Sequence, residues 1–268
     1  MKKNLLMSDE RKRYLKTIRQ NAIFVWSMRV LILILFFTLW ELFTINQIID
    51  PFLFSSPSRI ITTFCELYSR GELFLHVGTT LYETLIGFLI ASLLGTLIAI
   101  LLWCSDKLKR ILEPYIVVLN ALPKIALGPV IIIAFGAGIK SIVFMTVLVT
   151  IIVTVINMLA GFSQTDQGKI LLLKSMGATK IQILLRLILP NSLPTLISTL
   201  KVNVGLSWIG SIMGEYIVSK QGLGYLIVYG GQVLKLDLVM LSTVLLCILA
   251  SMMYVLVLLL QKILVKWE

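Results

Sequence analysis

The sequence predicts an all-α, polytopic membrane protein with about six transmembrane helices, and three observations carry that expectation. The chain of 268 residues is 58% hydrophobic and only 14% charged, with a mean hydropathy of +0.98, which is more apolar surface than one water-soluble core can hide. Its apolar residues fall into several continuous runs, each near the roughly 20 residues that cross a hydrocarbon layer of about 30 Å. The runs are unbroken instead of alternating every second residue, which argues against the strands of a lipid-facing barrel.

The first run covers residues 30–45, extended by an interfacial turn at 24–28, and follows a basic segment at 1–29 holding Lys2, Lys3, Arg11, Lys12, Arg13, Lys16, Arg19 and Arg29. That charged part is too long for a cleaved signal peptide, and no small-residue cleavage site follows Ile45, so the first helix is expected to stay as an anchor. With the external loop behind it, this helix accounts for residues 30–80. A core at 81–268 holds the other spans, at 81–103, 111–135, 139–162, 192–214 and 236–260. Six crossings leave both termini on one side.

Short cytoplasmic loops retain lysine and arginine, and translocated loops are depleted of them. With the N-terminus inside, the inner segments hold the eight basic residues of the tail together with Lys107, Lys109, Arg110, Lys169, Lys174, Lys180, Arg186, Lys262 and Lys266. The outer segments hold Arg59, Arg70, Lys140, Lys220 and Lys235. The asymmetry predicts that both termini are cytoplasmic. The net charge of +11 is therefore a topology signal, and no basic soluble module is present to suggest a nucleic-acid partner.

Catalytic chemistry finds little to work with. Cys65, Cys104 and Cys247 are far apart and match neither a disulfide framework nor a zinc spacing. The single histidine, His76, argues against histidine-based metal sites and triads. No phosphate-binding GxxxxGK[ST] loop occurs, so no cofactor is expected and any ATP hydrolysis must come from a partner chain.

The remaining chemistry lies in breaks and polar stripes within the membrane region. The third span carries Pro123, Lys124 and Pro129; each proline removes a backbone donor and crowds the preceding turn, so a straight helix is not expected. Either this is a kinked, pathway-lining helix with Lys124 turned to water or substrate, or it is a structural kink with the ammonium reaching head groups. On the fifth span Thr195, Thr199, Asn203, Ser207 and Ser211 recur every fourth residue as one polar ridge. The ridge faces an aqueous path or a closely packed helix, and Val204 is expected on the opposite, lipid-facing side.

The stretch at 164–190, between the fourth and fifth spans, is too long for a turn and has helical apolar spacing. It contains Lys174-Ser-Met-Gly-Ala-Thr-Lys-Ile-Gln-Ile-Leu-Leu-Arg-Leu-Ile-Leu-Pro190. Here the chain resembles the permeases of binding-protein-dependent ABC importers, whose loop reads Glu-Ala-Ala, three residues, Gly, nine residues, then Ile-x-Leu-Pro. Gly177 falls on the glycine, Leu187 on the isoleucine, and Leu189 and Pro190 on the closing pair. Leu171, Leu172 and Leu173 stand where Glu-Ala-Ala is usual. From Trp40 onward the chain is similar to the nitrate, sulfonate and taurine branch, at Trp40-Glu41, Ser56-Pro57-Ser58, Gly71-Glu72-Leu73, His76, Thr79-Thr80-Leu81, Gly87-Phe88, 122–129, Phe135-Gly136, Glu215 and Gly222-Leu-Gly-Tyr225.

The resemblance implies a type I importer permease fold in a bacterial plasma membrane. It also implies cytoplasmic ATP-binding subunits, an external solute-binding protein and a second permease subunit, expected to be a second copy of this chain. The solute would be nitrate-, sulfonate- or taurine-like, or a heterocycle resembling a thiamine precursor. Lys174, Gly177, Ala178, Leu187, Leu189 and Pro190 would couple the loop to the ATPase, with Ile181, Ile183, Leu184, Leu187 and Ile188 seating an apolar face in it. Alternatively, the loop lies on the membrane surface as an amphipathic segment.

Two other classes stand beside this one. An ion-coupled transporter needs carboxylates inside its spans, whereas Glu41 and Glu215 sit near outer ends and no acid is expected deeper. A membrane-embedded enzyme needs clustered acids or histidines near one face, and the sequence suggests none.

Overall fold

The computed structural model describes residues 9–264, and every regular element in it is helical. Lys2, Lys3 and Lys266 of the topology pattern lie outside the described residues. The chain divides into two units, Met1–Thr62 and Thr63–Glu268.

In the first unit, α1 runs Asp9–Ile45, and its apolar stretch Tyr14–Ile45 has no buried residue in its most hydrophobic window. A helix that is apolar all round over such a stretch is suited to lipid. Asp50 then caps α2 (Pro51–Phe54), accepting from the Phe52 amide at 2.8 Å. Glu41 near the end of α1 accepts from the Ser58 amide at 3.1 Å and from Ser58 Oγ at 2.7 Å, so its carboxylate caps the start of α3 (Pro57–Ser69).

The second unit contains α4 (Glu72–Cys104), α5 (Asp106–Ala121), α6 (Gly128–Phe135), α7 (Ile139–Ser163), α8 (Gln167–Ser175), α9 (Lys180–Ile183), α10 (Leu189–Asn191), α11 (Leu193–Val218), α12 (Leu223–Gln232) and α13 (Leu236–Leu264). Among the described residues α1, α4, α7, α11 and α13 are long and apolar enough to cross a membrane. Counting α5 with the segment Lys124–Phe135 as one bent span raises the number to six.

That bend is 86°. Helix α5 stops at Leu122, a 3-10 turn covers Lys124–Leu127 with Pro123 at its cap, and α6 begins at Gly128. The expected kink at Pro123 is thus a complete break. Pro129 plays a different part from the one the sequence suggested: it sits in the first turn of α6, where the amide it lacks has no helical acceptor to miss. Pro114, inside α5, is the proline that interrupts a continuing helix.

Helices α4, α7 and α11 form the centre of this unit because small residues let their backbones approach. Lipid tails are as apolar as leucine, so close packing and shared hydrogen bonds must hold such helices together. A Cβ built on Gly95 of α4 would stand 2.6 Å from Thr154 Cβ of α7, and one on Gly210 of α11 would stand 2.6 Å from Thr146 Cα. On one side α12 and α13 add an apolar cluster with Leu73, Phe88, Val204, Trp208, Leu223, Leu246 and Met253. A second cluster, Ala99, Met158, Phe162, Ile183, Leu184 and Ile188, roots the α8–α10 region against α4 and α7.

Candidate functional site

The polar ridge of α11 lies inside the three-helix centre. Asn203 is fully buried and donates from Nδ2 to Ser92 Oγ of α4 and to Thr154 Oγ1 of α7, both at 2.9 Å. Ser211 shares a 2.6 Å hydrogen bond with Thr84 of α4, and Ser207 a 3.4 Å bond with Thr150 of α7. Thr199 is buried and bonds the Thr195 carbonyl, while Thr195 itself fills the space beside Gly161. Asn203, Ser207 and Ser211 thus bond across to α4 and α7, Thr195 packs on α7, and Thr199 is buried in the same ridge. Val204 is buried as well, 3% exposed against the α12–α13 cluster, which corrects its expected lipid-facing position; the open side of α11 runs through Ser198, Val202, Gly205 and Ile209.

At the end of α11 the start of α12 is stitched to two spans. The Gly222 amide donates to His76 Nδ1 at 3.0 Å and the Leu223 amide to Thr80 Oγ1 at 2.8 Å, both on α4. The Gly224 and Tyr225 amides donate to Glu215 Oε2 at 2.6 and 3.3 Å. Four successive amides that a helix start leaves open are thereby satisfied, and the carboxylate sits where a helix N-terminus favours negative charge. Gly222 has φ of +113° and its Cα faces the Glu215 carboxylate directly, leaving no room for a Cβ.

Glu83 of α4 stands against Glu215 and is fully buried. This corrects the expectation that no acid lies inside the spans away from their ends. A signal for it was present in the α4 sequence, where His76, Thr80, Glu83, Thr84 and Gly87 recur at helical spacing and are all buried.

At the broken span Lys124 is half-buried and donates to the Asn120 carbonyl at 3.2 Å. Pro123 and Pro129 are exposed. The structure therefore does not bring Pro123, Lys124 and Pro129 together with the polar ridge.

The loop at 164–190 folds as α8, a turn, and α9 continuing through a π-helical stretch at Leu184–Ile188 into α10. Gly177 occupies the turn at φ +82°, with nothing within 4 Å of a Cβ placed there. Thr179 then starts α9 with a full capping box, its Oγ1 accepting from the Gln182 amide and its own amide donating to Gln182 Oε1. Lys180 bonds Asp106 at 3.2 Å and lies over the Trp103 ring, which ties the turn to the α4–α5 elbow.

Burial divides the sequence-predicted coupling residues. Lys174 and Gly177 are exposed, whereas Ala178, Leu187 and Leu189 pack on the inner cluster and Pro190 is half-buried. The apolar face expected to seat in a partner is partly claimed by this chain, since Ile183, Leu184 and Ile188 are 1%, 6% and 0% exposed. The outward apolar residues are Leu171, Leu172, Met176, Ile181 and Leu185, each more than half exposed.

Residues 87–267 match the model of the family described as binding-protein-dependent transport system inner membrane component. The formylaminopyrimidine transport permease protein ThiX of Halalkalibacterium halodurans is 33% identical over 195 residues, covering 73% of this chain and 77% of that protein. The putative aliphatic sulfonates transport permease protein SsuC of Escherichia coli K12 is 28% identical over 229 residues, covering 85% and 87%. Relatives named for taurine and nitrate transport match too, and the fold is that of a chain of the MetNI methionine ABC transporter in an inward-facing form, at a TM-score of 0.63 and 20% identity over 70% of this chain and 94% of that one. The chain belongs to the family of binding-protein-dependent transport system inner membrane components, in its nitrate, sulfonate and taurine branch, as a multi-pass ABC importer permease whose ATPase is a separate subunit.

Proposed function

We propose that this chain pairs with a second copy of itself to pass a small solute into the cytoplasm, with both termini on the cytoplasmic side. The solute is drawn from the range carried by its named relatives, from sulfonates, taurine and nitrate to formylaminopyrimidine. An external binding protein delivers it, and cytoplasmic ATP-binding subunits drive the change of access from the α8–α9 turn.

The observation that carries this reading is the two-sided build of that turn. Its inner side is buried among α4 and α7 through Ile183, Leu184 and Ile188, and its outer side presents Leu171, Leu172 and Met176 at 68%, 60% and 74% exposure. A patch of this kind in a loop carrying Lys169, Lys174 and Lys180 is an apolar docking point with a basic rim. A rigid helix fixed at one end to two spans transmits a push at the other end. Half-buried Lys124 and exposed Pro123, at the broken span, are the pathway candidates left open by this chain; Asn203, Ser207 and Ser211 contribute packing between the central helices.

The test is accumulation of labelled taurine, methanesulfonate, nitrate and formylaminopyrimidine by cells expressing the complete system. Uptake of at least one is expected, lost when the ATP-binding subunit is inactivated and retained when the proton gradient is collapsed. Uptake that survives loss of the ATPase overturns the reading in favour of an ion-coupled carrier.

A further inference from the structure

More than one turn from either end, the four continuous spans α4, α7, α11 and α13 hold two formally charged side chains, Glu83 and Lys201. They are treated in opposite ways. Glu83 is sealed at 0% exposure between α4 and α11. Lys201 reaches the surface of the unit, half-buried, and no hydrogen bond or ion pair of the described residues involves it. An ammonium inside a span is costly unless water, a counter-charge or an anionic ligand meets it.

The face that carries Lys201 is also unlike the outer face of α4, where the exposed residues from Leu89 to Leu101 are all long apolar chains, among them Leu93, Leu97 and Leu101. Helix α13 mixes Met252, Leu256 and Leu259 with exposed Thr243, Cys247 and Ser251, but carries no charge among them. Helix α11 exposes Ser198, Val202 and Gly205 around the lysine, and a Cβ placed on Gly205 would meet nothing within 4 Å. Two small or polar positions flanking a charge one turn to either side leave a shallow hollow with an ammonium at its centre.

We infer that this hollow on α11 lines the route of the solute, and that Lys201 biases the route toward anions. The inference rests on the importer-permease reading and narrows its substrate class. A carboxylate, sulfonate or nitrate passing the hollow meets one positive charge and no exposed acid on these four spans at that depth, since Glu83 faces away into the packed centre. A neutral heterocycle gains nothing from the same charge.

The experiment reads the local potential without knowing the solute. Cys65, Cys104 and Cys247 are all free and are replaced by serine; Ser198→Cys or Gly205→Cys is then introduced, and the chain is purified with its ATP-binding subunits. Each cysteine is treated with an anionic and a cationic methanethiosulfonate of similar size, in nucleotide-free and ATP-bound states. Both reagents transfer their charged alkylthio group to the cysteine by the same exchange, forming a mixed disulfide and releasing methanesulfinate, so the ratio of rates reports potential. With Lys201 intact the anionic-to-cationic ratio, normalised to that of free cysteine, is expected above one at both positions. Lys201→Gln should lower it about tenfold, the effect of one charge some 6 Å away on reagents differing by two charges, and Lys201→Arg should keep it.

No reaction at either position in any state means that lipid or another helix covers the face, and overturns the inference. So does a normalised ratio at or below one, or a ratio unchanged by Lys201→Gln. Failure of the importer reading itself would appear separately, as uptake that survives loss of the ATPase.

Discussion

Asn203 on α11 and Thr154 on α7 are joined by a 2.9 Å hydrogen bond in a fully buried setting, and the same amide nitrogen reaches Ser92 on α4 at 2.9 Å. One side chain therefore fastens all three central helices at a common level. Replacing it by leucine removes both bonds and leaves Ser92 Oγ and Thr154 Oγ1 each without the donor they accept from, although Thr154 keeps its own bond to the Thr150 carbonyl. Asn203→Leu is expected to lower stability by about 1–3 kcal/mol, read as a lower unfolding temperature in detergent. Val202→Leu, on the open side of the same helix, should leave the temperature unchanged; equal effects would mean that the bonds carry no stability.

Two glycines five positions apart on α11 give opposite expectations. Gly210→Ala brings a Cβ to 2.6 Å from the Thr146 backbone, which must shift, so a loss of about 1–3 kcal/mol is expected from overpacking. Gly205→Ala meets nothing and gains helix propensity of up to about 1 kcal/mol. Unfolding of the two variants side by side checks this, and a destabilised Gly205→Ala would mean that something covers that face.

The basic-residue asymmetry makes a prediction about sidedness. Ser69 and Thr179 are both exposed, so a cysteine at either position reports where it is. Ser69→Cys should react with an impermeant thiol reagent added outside, and Thr179→Cys only after the inner face is opened. Outside labelling at 179 would reverse the orientation and remove the turn from reach of any cytoplasmic ATPase.

How much of this was legible in the sequence depends on the range of the physics involved. Spans follow from local hydropathy, and Gly177 from its place in the loop motif of the resembled family, so both were readable. The break at Pro123 was readable as a kink, but its 86° angle depends on a 3-10 turn that no local pattern announces. The ridge from Thr195 to Ser211 was readable as polar. Which partner it meets was not, because Thr84, Ser92, Thr150 and Thr154 lie 49 to 127 residues away along the chain. Val204 was misplaced for a related reason: α11 is enclosed over most of its circumference, so the side opposite a polar ridge is covered by α13 and not by lipid. Glu83 is inconspicuous inside an apolar run because one acid barely lowers mean hydropathy, although its polar neighbours at helical spacing mark a buried stripe. The dual use of the loop's apolar residues, half rooted inward and half facing out, requires knowing where α4 and α7 lie.

The account stands most directly on substrate-stimulated ATP hydrolysis by the purified complex of this chain with its ATP-binding subunits, comparing wild type, Gly177→Asn and Gly177→Val. At φ +82° asparagine is tolerated, whereas a β-branched side chain costs about 1–3 kcal/mol locally, and nothing nearby would clash with either. The account predicts that all three assemble, that wild type and Gly177→Asn respond to loaded binding protein, and that Gly177→Val loses most of the response. Full stimulation of Gly177→Val in an intact complex would contradict it, because the turn would then have no part in coupling.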